Sequence, residues 1–74
     1  MHCVYVLKNR RGEFYIGYTK ELGRRLREHM RSDKYQTLVY YEAYLSEDGA
    51  RQRERRLKYY GSAWRGLKKR ITNN

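Results

Sequence analysis

An α+β arrangement of order ββαβαα, a small three-stranded antiparallel sheet flanked by helices, is expected from three features of this chain. Two short runs of strand-forming residues, 3–7 and 14–18, are separated by a polar loop with a glycine near its end. Later stretches place apolar residues at helical spacing behind capping residues. A third run rich in Tyr, Val and Leu lies between them.

Each element follows from local chemistry. In residues 3–7, Val4 and Val6 point one way and Cys3, Tyr5 and Leu7 the other. Residues 8–13 are polar, and Gly12 marks a hairpin turn. On the return strand, 14–18, Phe14 and Ile16 share a face and Tyr15 and Gly17 the opposite one. Thr19 suits an N-cap for a helix running to about residue 31, whose apolar stripe is Leu22, Leu26 and Met30. Residues 32–36 read as a loop and 37–45 as the third strand. Ser46 caps a second helix, 47–59, with Glu47 and Asp48 at its positive end. Gly61 is expected to stop that helix. Residues 63–71 form a short third helix with Trp64, Leu67 and Ile71 on one side.

The 74 residues suffice for one domain, 1–74, with no proline, repeat or linker. A chain this short buries only about 60% of its unfolded surface, so each buried polar group needs a reason. High charge with low hydrophobicity is a mark of disorder. Nine Tyr, one Trp and one Phe argue against it, because aromatics supply packing area. Cys3 is the only cysteine, which excludes an internal disulfide. No apolar run approaches membrane-spanning length, and no sorting signal is legible, so the cytoplasm is the expected location. The net charge of +10 is uneven. Residues 1–49 carry nine Lys/Arg against seven Asp/Glu, whereas residues 50–74 carry nine against one. Such a basic segment points to a nucleic-acid partner, with an anionic membrane as the rival. The expected contacts are Arg51, Arg55, Lys58, Arg65, Lys68, Lys69 and Arg70. Trp64 could stack on a base, but its place in an apolar stripe favours packing.

Three sets of residues can carry chemistry. Glu54 is the only acid in the last 25 residues, on the same helical stripe as Ala50 and Leu57. A carboxylate there is either an ion-pair partner of Arg51, Arg55 or Lys58, or a metal ligand or acid–base group at a cleft. Arg25 and His29 lie one turn apart on one helix. Arg offers a planar fork for phosphate, and His titrates near neutrality. The alternatives are a solvated basic face and a helix-end cap. Tyr5 and Tyr15 lie across the expected hairpin on one sheet face; taken singly, each reads as core packing.

Together these residues resemble the GIY-YIG nuclease superfamily. Tyr15-Ile16-Gly17 is its second signature tripeptide, and Val4-Tyr5-Val6 stands where the first belongs, with only Tyr5 retained. Leu22, Arg25 and His29 follow in order, and residues 50–58 look like the family's metal-binding helix, with its glutamate at Glu54. The likeness covers residues 3–58 and is greatest to small stand-alone bacterial members related to the amino-terminal nuclease domain of an excinuclease. Tyr18 stands where some relatives have lysine.

The resemblance implies a metal-dependent DNA endonuclease, of the kind used in repair or recombination, with Mg²⁺ or Mn²⁺ as cofactor. Glu54 would hold the metal, Arg25 would neutralise phosphoryl charge, Tyr5 or Tyr15 would orient or deprotonate water, and His29 would relay a proton. One carboxylate suits a one-metal scheme. Two other readings remain: a nucleic-acid-binding module without turnover, and a ribosome-associated RNA-binding protein.

Overall fold

β1 (His2–Lys8) is the middle of a three-stranded antiparallel sheet of order β2-β1-β3, and the computed structural model describes residues 1–72. Its flanking strands are β2 (Phe14–Thr19) and β3 (Thr37–Tyr44), and the helices are α1 (Leu22–Ser32), α2 (Glu47–Tyr59) and α3 (Gly61–Thr72). The order ββαβαα and the α+β class agree with the sequence pattern.

β1 is central because its run Cys3, Val4, Tyr5, Val6, Leu7 is apolar on both faces, and all five residues are buried. On one face Val4 and Val6 join Ala50, Leu57 and Leu67, with Phe14, Ile16, Tyr18, Tyr40, Trp64 and Ile71 packed around them. α2 and α3 therefore cover that face. Tyr5 lies on the other face, across from Gly17 on β2 and Tyr41 on β3. A register shift between Val6 and Leu7 sets a bulge in the β1–β3 pairing.

The hairpin tip is built around Asn9. Its backbone N–H donates to Glu13 O, while its side-chain oxygen accepts from the N–H groups of Arg11 and Glu13. Gly12 completes the turn at φ 82°, where a side chain would be strained. Ser46 caps α2 as expected, accepting from Gly49 N at 3.1 Å.

Several expectations need correction. Thr19 ends β2 and its hydroxyl accepts from Glu21 N, so it shapes the turn before α1; Glu21 holds the cap position and makes no side-chain cap bond. Gly61 does not terminate α2. The break falls at Tyr60, which is extended, and Gly61 opens α3 with no positive φ. α3 therefore begins two residues earlier than expected, and Ser32 belongs to α1. The apolar stripe of α1 is covered only in part: Leu22 and Leu26 are half-buried and Met30 is 54% exposed. Among the described residues, no helix is long and apolar enough to cross a membrane.

Candidate active site

The face of the sheet opposite α2 and α3 carries a cluster of ionisable rings. Tyr5 has no exposed surface, so its hydroxyl needs a partner. It finds one in His29, whose Nε2 lies 3.0 Å from the Tyr5 oxygen. His29 is on α1, and its ring also meets Tyr15, with centroids 5.2 Å apart. Tyr5 and Tyr15 are 6.2 Å apart, so the three rings form one mutually contacting group. Alternation along the hairpin produces this grouping: Leu7 pairs with Tyr15 and Tyr5 with Gly17, placing both phenols on one face.

Gly17 is part of the same construction. A Cβ there would lie 2.5 Å from Cζ and Oη of Tyr5. The Tyr5 ring thus crosses the β2 backbone through a gap that only glycine leaves, and this delivers its hydroxyl to His29.

Electrostatics follow from burial. Burial pushes the Tyr5 phenol above its ordinary pKa; the adjacent Arg25 guanidinium opposes this without reversing it. Burial, and then Arg25, push the His29 imidazole below its ordinary value. His29 is therefore neutral at pH 7, and in the tautomer protonated at Nδ1 its Nε2 accepts the hydrogen bond of the Tyr5 hydroxyl. Arg25 stays exposed on α1, tethered to Glu28 at 3.0 Å, and can meet an incoming anion. Tyr15 is 43% exposed, so the cluster is open to solvent on its side.

Glu54 comes from the other layer. It is half-buried on α2, and its carboxylate pairs with Lys58 Nζ at 3.0 Å, one of the ion pairs the sequence allowed. Lys58 lines a cleft along β2 with Phe14, Tyr15, Ile16, Trp64 and Lys68. β2 is an edge strand, so groups from the two faces of the sheet can meet around it at this cleft. The structure thus joins Tyr5, Tyr15, Arg25 and His29 directly, and sets Glu54 one helical turn from a side chain sharing a cleft with Tyr15. Among the described residues, no three His, Cys, Asp or Glu side chains gather as a metal cage.

The expected nucleic-acid contacts are not equally free. Arg51 pairs with Glu47 at 2.8 Å and lies over the Tyr18 ring at 4.3 Å. Lys68 lies over Phe14, and Trp64 packs edge-on against Phe14 at 5.3 Å, which is the packing role its stripe favoured. Arg55, Arg65, Lys69 and Arg70 are exposed.

One half-buried polar centre is absent from the sequence reading. The Glu42 carboxylate accepts from the hydroxyls of Tyr40 and Tyr44, both at 2.6 Å, and from Arg53 at 3.1 Å. Burial alone would raise the Glu42 pKa; these three donors outweigh it and hold the carboxyl below its usual range. The signal was the alternation of Tyr40, Glu42 and Tyr44 on one strand face. The network ties β3 to α2 beside Glu54.

The molecule is thus a small α+β domain with paired phenols, an imidazole and a guanidinium on one face and a helix-borne acid on the other. The family model described as the GIY-YIG catalytic domain matches residues 1–59. A UPF0213 protein of Halobacterium salinarum is 38% identical over 71 residues, covering 85% of this chain and 92% of the relative. No solved structure matches. The chain belongs to the GIY-YIG family. Members of that nuclease family generally use divalent metals and bind nucleic acid.

Proposed function

We propose that this protein is a metal-dependent endonuclease hydrolysing phosphodiester bonds in DNA, in repair or recombination. The observation that carries the reading is the Tyr5–His29 hydrogen bond. A buried phenol bonded to a neutral imidazole beside a guanidinium satisfies its own hydrogen bond and, in the same geometry, can relay a proton. As the Tyr5 oxygen takes a proton from the attacking water, its own hydroxyl proton passes along the hydrogen bond to His29 Nε2. Arg25 stabilises charge building on the phosphoryl oxygens, and its nearness also favours the phenolate. Tyr15, open to solvent, orients the water. Because burial dominates at Tyr5, its phenolate forms only once further positive charge enters the site.

The donor set fits a hard divalent ion. Mg²⁺ is often held by one or two protein carboxylates and keeps several waters, so Glu54 with substrate phosphate oxygens suffices. When bound, Mg²⁺ or Mn²⁺ would supply polarisation of the phosphate and charge neutralisation. Lys58 occupies the carboxylate otherwise and must give way. That ion pair also favours the competing reading, a nucleic-acid-binding module without turnover.

The test is incubation with branched, nicked and linear DNA plus Mn²⁺, comparing wild type with Glu54→Ala. Cleavage by wild type alone supports the nuclease. Equal cleavage by both removes Glu54 from the site. Salt-sensitive binding without cleavage by either favours the binding module.

A further inference from the structure

The hairpin tip and the α1–β3 loop meet at a second cationic–aromatic centre that the cluster above does not use. Tyr35 is 50% exposed in the loop after α1. The Arg10 guanidinium lies 4.7 Å from its ring centroid, and Lys34 Nζ lies 5.3 Å from it. Arg11 lines the same cleft. Among the described residues, Arg10, Arg11 and Lys34 take part in none of the ion pairs, which are Arg25–Glu28, Arg51–Glu47, Arg53–Glu42 and Lys58–Glu54.

The two acids in this cleft are committed to shaping it. The Glu13 carboxylate accepts from Asn9 Nδ2 at 2.9 Å, and the Asp33 carboxylate accepts from the backbone N–H of Tyr35 at 3.0 Å. Both loops are thereby fixed before any ligand arrives. Asn9 holds the tip, and the Asp33 turn, closed by Gln36 N to Asp33 O, holds Tyr35. The result is a preset, half-exposed ring with Arg10 and Lys34 against it and Arg11 in the same cleft, none of the three in an ion pair among the described residues.

Its place relative to the proposed nuclease site is set by register. Glu13 borders both this cleft and the one shared by Tyr15 and Lys58, so the two adjoin at that residue. Tyr15 follows Glu13 by two residues, about 7 Å at the usual strand rise. That is about two nucleotide steps of a stacked strand.

We propose that Tyr35 with Arg10, Arg11 and Lys34 forms a subsite for an unpaired DNA strand beside the cleaved phosphate. The Tyr35 ring stacks on an exposed base, and the three cations take the flanking phosphates. A base inside a continuous duplex presents no free face to such a ring, whereas a flap, overhang or single strand does. The proposal deepens the nuclease reading and rests on it: it assigns the substrate an unpaired segment close to the reacting bond.

The experiment measures binding by fluorescence anisotropy in EDTA, so turnover plays no part. The probes are a labelled 12-nucleotide single strand, a continuous duplex of the same sequence, and that duplex with a short single-stranded flap. Tyr35→Ala should weaken the single strand and the flap by about 5- to 150-fold, the range of one base–aromatic stack, and the continuous duplex by less than about twofold. Tyr35→Trp should restore single-strand affinity, which a merely structural role for the hydroxyl or loop would not do. Arg10→Ala should flatten the single-strand salt slope by about 0.7. Unchanged single-strand affinity in Tyr35→Ala, or equal loss on the continuous duplex, overturns the subsite while leaving the nuclease reading intact. Failure of wild type to bind any probe overturns both.

Discussion

Gly17→Ala tests the geometry on which the Tyr5–His29 pair depends. The added methyl would sit 2.5 Å from Cζ and Oη of Tyr5 and 2.9 Å from Cε1, about 1 Å inside ordinary contact. Tyr5 has no room to yield: it has no exposed surface and touches the rings of Tyr15 and His29. Overpacking of this kind costs about 1–3 kcal/mol. Taking about 2 kcal/mol, Tm should fall by about 8–16 °C for a domain of this size. The shift must also move the phenol away from Nε2, so the His29 pKa should change along with Tm. Thermal melting by circular dichroism reads the first effect, and NMR titration of the His29 ring reads the second. In a Tyr5→Leu background the same substitution should cost less, with a coupling of about 0.5–3 kcal/mol. A Gly17→Ala protein that melts within a degree of wild type and titrates identically would refute the reasoning.

Other outcomes follow from the same structure. His29 has a depressed folded pKa, so its contribution to stability is present above about pH 6.5 and is lost as pH falls through the lower folded value. Stability between pH 7 and 5 should therefore fall less in His29→Asn than in wild type, measured by urea denaturation. Tyr44, pushed up to about 12 by burial and then by Glu42, contributes stability that is complete below about pH 10 and is lost as pH rises towards 12. Glu42→Gln should cost about 1.5–3 kcal/mol and bring the Tyr44 titration, followed by phenolate absorbance, below 12. Lys58→Met frees the Glu54 carboxylate and should tighten Mn²⁺ binding about 1.5- to 5-fold by calorimetry without DNA. Weaker Mn²⁺ binding would contradict the competition between lysine and metal.

Much of this was readable because alternation and helical spacing are strong signals where elements are short and regular. The opposite faces of Val4/Val6 and Cys3/Tyr5/Leu7 follow from a period of two, and a tight hairpin then fixes Tyr15 beside Tyr5. Arg25 and His29 follow from one turn of helix. What failed was knowledge of what covers a face. The stripe Leu22, Leu26, Met30 is correct as a stripe, but little packs on it, so Met30 is exposed. Thr19 has the chemistry of a cap, and only backbone geometry shows that its hydroxyl serves a turn. Gly61 has the chemistry of a stop, but extended Tyr60 makes the break. Glu42 was hidden in a strand read for its tyrosines, whose hydroxyls are what make the half-buried carboxylate tolerable. Glu54 could be paired or a ligand, and sequence spacing alone did not choose Lys58 from three candidate cations.

The proposed chemistry turns on whether the Tyr5 hydroxyl takes part in the reaction or only packs. Single-turnover cleavage of DNA with Mn²⁺, comparing Tyr5→Phe with wild type at matched binding saturation, answers this most directly. A hydroxyl that handles the proton predicts a loss of about 10²- to 10⁴-fold in rate, with salt-sensitive DNA affinity kept. Cleavage by Tyr5→Phe at the wild-type rate would contradict it.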